Sequence, residues 1–226
     1  MIDGPRLEPA SGRPARQLVV LVHGYGADGH DLIGLGEAWR TILPDAAFIA
    51  PHTPDPCPAA PGGRQWFPLS VRNPEEIRRG VAEAGPKFDA FLDRELAHYG
   101  LADKDLALVG FSQGTMLSLW VGPHRPGRIA GIVGYSGLIA WSLQREHNSA
   151  HKPPVLLVHG ENDPVVPSIA LPATRNALTG AGFQVESHMS PGLAHGIDAD
   201  GIARGGRFLQ DVLLPEEAAA RRSAAH

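Results

Sequence analysis

The stretch that decides the fold is Asp105–Met116, with the sequence DLALVGFSQGTM. It begins with the short apolar run Leu106–Val109, which is typical of a strand buried on both faces. The turn Gly-Phe-Ser-Gln-Gly follows at residues 110–114, and the apolar residues after it favour a buried helix. A serine at the tip of a sharp turn between a strand and a helix has strained backbone angles and an exposed Oγ atom. The pattern therefore predicts that Ser112 is a nucleophile.

A nucleophilic serine needs a neighbouring imidazole to accept its proton and a carboxylate to orient that imidazole. Where the serine lies on such a turn, the acid follows it along the chain and the histidine follows the acid. His195 lies in a glycine-flanked loop between the last predicted strand and the last predicted helix, so it is the predicted base, whereas His188 lies within a strand. Asp163 follows a predicted strand and precedes a proline, so it is the predicted acid, with Glu161 as the alternative.

A second glycine-rich turn, HGYGADG at residues 23–29, follows the apolar run Gln17–Val22. Its glycines allow backbone N–H groups to converge on one point, as an oxyanion hole requires. We expect the two donors to be the backbone N–H groups of Gln113, directly after the serine, and of Tyr25. The sequence contains no metal-ligand spacing and no phosphate-binding loop, so it implies no cofactor and no metal.

Apolar runs that alternate with helical stretches predict an α/β fold, with a mostly parallel central sheet and helices on both faces. Each candidate loop follows a predicted strand, so these loops are expected to meet at one edge of the sheet. We expect one domain over residues 17–214, a flexible arm at residues 1–16 and a frayed tail at residues 215–226. Gly85 and Pro86 are expected to kink or divide a long helix that begins after Asn73.

The segment from Pro51 to Pro68 is rich in proline and ends close to an aromatic pair. A loop of this length within a domain is usually functional or disordered, and the aromatic pair argues against disorder. We predict that it covers the site as a fixed wall. Four side chains are expected to line an apolar substrate slot: Trp66, Phe67, Leu138 and Val166. The alternative is that the two aromatic residues only anchor the loop to the core.

Composition excludes several classes of protein. The net charge is −4 with both signs spread along 226 residues, so no nucleic-acid partner is indicated. No apolar run approaches the ~20 residues that cross a bilayer. The first residues also contain no apolar segment of the kind that a secretory signal has. The single cysteine, Cys57, fits a reducing compartment. We therefore expect a cytoplasmic protein without stable membrane insertion.

Six pieces of the chain, in this order, resemble the phospholipase/carboxylesterase family of α/β-hydrolases, which contains acyl-protein thioesterases and small bacterial carboxylesterases. They are residues 23–29, 51–52, 66–67, 110–114, 159–167 and 192–195. The resemblance implies an α/β-hydrolase fold and a catalytic triad of Ser112, Asp163 and His195. It also implies Tyr25 and Gln113 as oxyanion donors, a long loop over the acyl pocket, and frequent homodimers. Two departures from the family pattern are Thr115, where many members have glycine, and Pro68, where an acidic residue is frequent.

The leading prediction is a serine carboxylester hydrolase that cleaves short- to medium-chain acyl esters through an acyl-enzyme intermediate. An acyl-(protein) thioesterase or a lysophospholipase of the same family is the alternative, because these reactions share one tetrahedral chemistry. A serine peptidase of the same fold is less favoured, since the chain has no room for a gating domain. A catalytically silent scaffold used for binding is the alternative from another class, and it would be expected to lack one of the three triad residues.

Overall fold

The computed structural model describes residues 2–69, 73–139 and 151–224. Within these residues a seven-stranded sheet has the strand order β1-β3-β2-β4-β5-β6-β7. The strands are β1 Arg6–Leu7, β2 Gln17–Val22, β3 Ala46–Ile49, β4 Leu106–Phe111, β5 Gly131–Tyr135, β6 Val155–Gly160 and β7 Val185–Ser190. Strand β1 is antiparallel to β3, and every other neighbouring pair is parallel. The predicted mostly parallel sheet is confirmed.

Helices cover both faces of this sheet, as predicted. They are α1 Gly29–Trp39, α2 Pro74–Tyr99, α3 Gln113–Val121, α4 Ala170–Gly180, α5 Ala199–Leu213 and α6 Pro215–Ala224. Alternate residues of β2 face opposite sides, so Val20 packs with α2 and α3 while Val19 packs with α1 and α5. None of the helices in the described ranges has both the length and the apolar character needed to span a bilayer.

Parts of both terminal segments have regular structure that the sequence analysis did not expect. Within the predicted flexible arm, Arg6 and Leu7 pair with Ile49 and Phe48 of β3, and Ile2 is buried. Two residues are too few to show the alternation that marks a strand in a sequence. The predicted frayed tail forms α6 as far as residue 224, which agrees with the high helix propensity of its alanine and glutamate residues.

The long helix α2 continues past Gly85 and Pro86 without a break, so the sequence analysis was wrong where it allowed a division at this point. The helix begins directly after Asn73, as predicted. The Asn73 side chain caps it by accepting a hydrogen bond from the backbone N–H of Glu76 at 2.8 Å. Gly100, with a φ angle of 66°, ends the helix. Packing of the apolar face of α2 against α3 and the sheet compensates for the hydrogen bond that proline removes.

A buried arginine fixes the far end of helix α3. Arg125 donates to carboxylate oxygens of Asp89 at 2.6 Å, of Asp93 at 2.7 Å and of Asp103 at 2.8 Å. Burial alone lowers the pKa of the Arg125 guanidinium, but these three hydrogen bonds outweigh burial and raise the pKa above its usual value. Arg125 is therefore a permanent cation that ties α3 to α2 and to the start of β4.

Candidate active site

Ser112 lies at a strained turn between β4 and α3. Its φ angle is 52° and its ψ angle is −112°, a combination that non-glycine residues rarely adopt. Surrounding hydrogen bonds hold it there, since its N–H donates to the Tyr135 carbonyl oxygen at 2.8 Å and its own carbonyl accepts from the Thr115 N–H at 3.0 Å. Gly114 is required at this turn, because a Cβ atom there would collide with the Val22 carbonyl group.

His195 and Asp163, which come from the loops after β7 and β6, are hydrogen-bonded. The distance from His195 Nδ1 to Asp163 Oδ2 is 2.7 Å. The other carboxylate oxygen, Oδ1, accepts from the backbone N–H groups of Val165 at 2.8 Å and Val166 at 2.9 Å. Burial raises the pKa of Asp163, but the hydrogen bonds from His195, Val166 and Val165 outweigh it and hold the pKa below its ordinary value. The ionised carboxylate can only accept, so Nδ1 carries a proton, and the tautomer that this bond selects leaves Nε2 as the acceptor.

The other candidate residues of the sequence analysis lie elsewhere. Glu161, the alternative acid, is exposed and accepts a hydrogen bond from the backbone N–H of Gly192 at 2.9 Å. His188 lies on β7, with Nε2 2.9 Å from an Asp200 carboxylate oxygen. Behind Asp163, the buried His159 has its Nε2 2.9 Å from the Val166 carbonyl oxygen, so it stiffens the loop that carries Asp163.

Ser112 and His195 line the same cavity, which has a volume of about 240 Å³. Its other lining residues are mostly apolar: Tyr25, Leu69, Ile77, Met116, Leu138, Val165, Val166 and Pro167. Leu138 and Val166 thus lie where the sequence analysis expected them. Leu69, Ile77 and Met116 were missed, because they read as ordinary core positions in the sequence. In the described ranges, no group of three or more histidine, cysteine, aspartate or glutamate residues is arranged to hold a metal ion.

Trp66 and Phe67 do not line this cavity, which corrects their predicted placement. Both are buried, and the Trp66 indole N–H donates to the His23 carbonyl oxygen at 3.0 Å. The Trp66 ring meets Phe88 of α2 edge-on, with centroids 5.3 Å apart, while the Phe67 ring packs directly over Gly80. The two aromatic residues therefore anchor the end of the proline-rich loop to the core, as in the alternative interpretation.

Two turns meet at the cavity, which is lined by Ser112 from one of them and by Tyr25 from the other. Gln113 is the first residue of α3, and the first N–H groups of a helix have no acceptor within the helix and carry partial positive charge. In the turn at residues 23–29, the N–H of Gly26 is bonded to Arg64 and that of Ala27 to Gly24. Tyr25, which directly precedes Gly26, lines the cavity. This arrangement is suited to holding negative charge that develops on a carbonyl oxygen near Ser112.

Thr115, one of the two departures from the family pattern, joins the start of α3 to two strand ends. Its buried Oγ1 lies 2.8 Å from the Gly110 carbonyl oxygen and 2.9 Å from that of Tyr135. We expect Thr115→Val to lower the free energy of unfolding by about 1–2 kcal/mol, because the buried hydrogen bond of the hydroxyl is lost while the side-chain shape is kept. Urea unfolding measures the change. Thr115→Ser keeps the hydroxyl, so a serine variant less stable than the valine variant would show that the methyl group matters more.

The fold and the turn around Ser112 define an α/β-hydrolase, and comparison with known proteins agrees. The phospholipase/carboxylesterase family model matches residues 8–213. The chain belongs to the phospholipase/carboxylesterase family of α/β-hydrolases, which confirms the resemblance found in the sequence, and it is a hydrolase of the serine hydrolase superfamily.

Relatives named as thioesterase and esterase match most of the chain. Acyl-protein thioesterase 1 of Gibberella zeae is 28% identical over 217 residues, covering 88% of this chain and 91% of the relative. Esterase YpfH of Escherichia coli is 29% identical over 186 residues, covering 82% of this chain and 78% of the relative. Esterase PE8, known from a crystal structure, has 42% sequence identity with this chain. The two structures superpose with a TM-score of 0.89 over 94% of this chain and 99% of esterase PE8. The Bacillus cereus carboxylesterase, 17% identical with a TM-score of 0.74 over 94% and 95% of the two chains, shares the fold.

Proposed function

We propose that the chain is a serine carboxylester hydrolase in which Ser112 is the nucleophile, His195 the general base and Asp163 the acid that orients the base. One observation carries this proposal: Ser112 and His195 line one cavity, and Nδ1 of His195 is hydrogen-bonded to the ionised Asp163. The bond fixes the proton on Nδ1, so Nε2 on the opposite side of the ring is the atom that accepts the serine proton.

The reaction then has two stages. Ser112 Oγ attacks the ester carbonyl carbon while Nε2 of His195 takes the hydroxyl proton, and the oxyanion is stabilised by the N–H groups of Tyr25 and Gln113. When the intermediate collapses, the imidazolium gives its proton to the departing alkoxide, leaving an acyl group on Ser112. Water attacks this acyl-enzyme with His195 again as base, which releases the carboxylic acid and restores the serine.

A burst experiment tests the proposal. Excess p-nitrophenyl acetate should release about one p-nitrophenolate per active site before steady turnover, and mass spectrometry should find one acetyl group on the Ser112 peptide. If neither the burst nor the acetyl adduct is found, the chain is better described as a catalytically silent scaffold used for binding. The thioesterase alternative is supported by the names of relatives, and comparison of octanoyl-CoA with p-nitrophenyl octanoate tests it. Homodimer formation and a cytoplasmic location stay predictions.

The size of the cavity supports a limit on acyl length. Its volume, about 240 Å³, is below the ~300–1,000 Å³ of typical small-molecule sites. Each methylene buried there contributes about 0.8 kcal/mol, or roughly a four-fold gain in kcat/KM. We expect kcat/KM to rise through short acyl chains and then to flatten or fall, so that acetate to octanoate esters are preferred over palmitate. A profile that rises steadily to palmitate would contradict this limit.

Met116 is a suitable residue for testing the limit on acyl-chain length, because it lines the cavity and is itself buried in α3. We expect Met116→Ala to move the optimum of kcat/KM to acyl chains about two carbons longer, at a stability cost of about 2–5 kcal/mol. Leu119→Ala is the matched control, since Leu119 is buried in the same helix and does not line the cavity. A shift of the optimum in both variants would attribute the effect to general loosening of the fold.

A further inference from the structure

The side chain of Gln113 holds the end of the proline-rich loop. It is fully buried, and its Oε1 accepts from the backbone N–H of Trp66 at 2.8 Å. Its Nε2 donates to the carbonyl oxygen of Phe67, also at 2.8 Å. The primary amide therefore satisfies one donor and one acceptor of a backbone that runs beside it. The residue that follows the proposed nucleophile is thus fastened to a loop almost fifty positions earlier in the chain.

The same loop segment is also bonded to the turn that contains Tyr25. The carbonyl oxygen of Arg64 accepts from the N–H of Gly26 at 2.8 Å, and the N–H of Arg64 donates to the carbonyl oxygen of Ala27 at 3.0 Å. Trp66 adds the hydrogen bond from its indole N–H to the carbonyl oxygen of His23, at 3.0 Å. The four residues Arg64–Phe67 therefore contact both turns that border the cavity beside Ser112.

Further bonds stiffen this segment from behind. The Arg64 guanidinium donates to the carbonyl oxygen of Thr53 at 2.9 Å, and the N–H of Gln65 donates to that of Asp55 at 3.0 Å. The loop approaches the Tyr25 turn so closely that a Cβ atom on Gly63 would collide with the Gly26 carbonyl group. Frequent proline residues restrict the backbone further. The segment has the properties of a rigid support.

We infer that residues 64–67 form a brace that sets the spacing between the two oxyanion donors, with the Gln113 side chain as its positioning residue. This inference rests on the proposed function, because the donors are the N–H groups of Tyr25 and Gln113 that the proposal uses. An oxyanion hole accelerates acyl transfer only when its donors are already placed about 2.7–3.1 Å from the developing charge. Loss of the brace lets the two turns move apart, so transition-state stabilisation falls while substrate binding is kept.

Gln113→Met is the variant that tests the brace, since it removes both side-chain hydrogen bonds and keeps the backbone N–H of residue 113. We expect kcat for p-nitrophenyl acetate to fall roughly 10- to 100-fold with KM changed less than about three-fold, because one complete oxyanion donor contributes roughly 10²–10³-fold. The affinity for an alkyl boronic acid, whose tetrahedral adduct places an oxygen in the hole, should fall in parallel with kcat/KM. The factor by which kcat falls should be equal for acetate and octanoate esters, because Trp66 and Phe67 do not line the cavity.

Two companion variants separate this effect from general destabilisation. Trp66→Phe removes the indole hydrogen bond to His23 together with part of the buried ring, keeps both hydrogen bonds of the Gln113 side chain, and should lower kcat in the same direction by a smaller factor. Trp39→Phe is the matched control, because it makes the same change to a buried tryptophan on the other face of the sheet. It removes the hydrogen bond from the indole N–H to the Ile202 carbonyl oxygen, at 2.9 Å, and should leave kcat unchanged.

The brace is overturned if Gln113→Met keeps wild-type kcat, or if its loss of kcat grows with acyl length. It is also overturned if kcat falls while boronic acid affinity does not change. Should Gln113→Met fail to fold, Trp66→Phe with the same measurements decides. Failure of the proposed function would look different, because Ser112→Ala would then keep its activity whatever the Gln113 variant does.

Discussion

Ser112→Ala is expected to lower kcat for p-nitrophenyl esters by roughly 10⁵- to 10⁶-fold, the scale seen when a serine nucleophile is removed from a triad. Without Oγ no acyl-enzyme forms, and water must attack the ester directly. The proposed donors of the oxyanion hole are left in place, so the variant should still hydrolyse esters somewhat faster than buffer does. Steady-state rates at high enzyme concentration, together with loss of the acetyl adduct, measure the effect.

The same substitution should leave the midpoint of thermal unfolding close to that of the wild type. The Ser112 side chain makes no capping hydrogen bond to α3, so removing its hydroxyl leaves the bonds that hold the turn intact. Ser118→Ala is the matched control, because it removes a buried hydroxyl from the same helix, away from the cavity. It should retain full activity. Substantial turnover by Ser112→Ala would refute the nucleophile assignment.

The position of Ser112 was predictable because its signal is local. The turn, the strand before it and the helix after it lie within about twelve residues, and their geometry depends on close backbone packing at Gly114. Asp163 and His195 were predictable for a different reason. In a parallel sheet the loops after successive strands share one edge, so topology alone brings these two residues near each other. The bond of 2.7 Å between them could only come from the structure.

The placement of Trp66 and Phe67 was not predictable from the sequence, since an aromatic side chain at the end of a loop can face a cavity or the core equally well. What decides it is tertiary packing against Phe88 and Gly80 of α2. The role of the Gln113 side chain had no sequence signal either. A hydrogen bond between residues so far apart in the chain leaves no periodicity, and a glutamine after the serine shows only that its backbone N–H is available.

Asp163→Asn is expected to lower kcat by roughly 10³- to 10⁴-fold, the scale found when a triad aspartate becomes an amide. The structure gives a specific reason. The N–H groups of Val165 and Val166 both point at Oδ1, so the amide oxygen of asparagine will occupy that position and the NH₂ group will face His195. A donor facing Nδ1 moves the ring proton to Nε2. His195 then has no acceptor for the serine proton, although its place in the loop is unchanged.

The pH dependence of the unfolding free energy should also report on the Asp163 carboxylate. The folded-state pKa of Asp163 is below its ordinary value, so the ionised group stabilises the folded protein above an unfolded-state pKa of about 3.9. That contribution is lost as pH falls through the lower folded-state pKa. The difference in unfolding free energy between wild type and Asp163→Asn should therefore be largest above about pH 4 and shrink below it. Urea unfolding at several acidic pH values measures it.

Glu161→Gln is the matched control for the acid assignment, because it makes the same chemical change two residues away. The exposed Glu161 accepts one hydrogen bond from the Gly192 N–H, and a glutamine oxygen can accept that bond equally well. We expect its kcat to stay within about two-fold of the wild type, as is usual for exposed substitutions of this kind. A severe loss in Glu161→Gln with near-normal turnover in Asp163→Asn would make Glu161 the acid. Such a result would require the loop after β6 to rearrange, since the hydrogen bond from His195 now goes to Asp163.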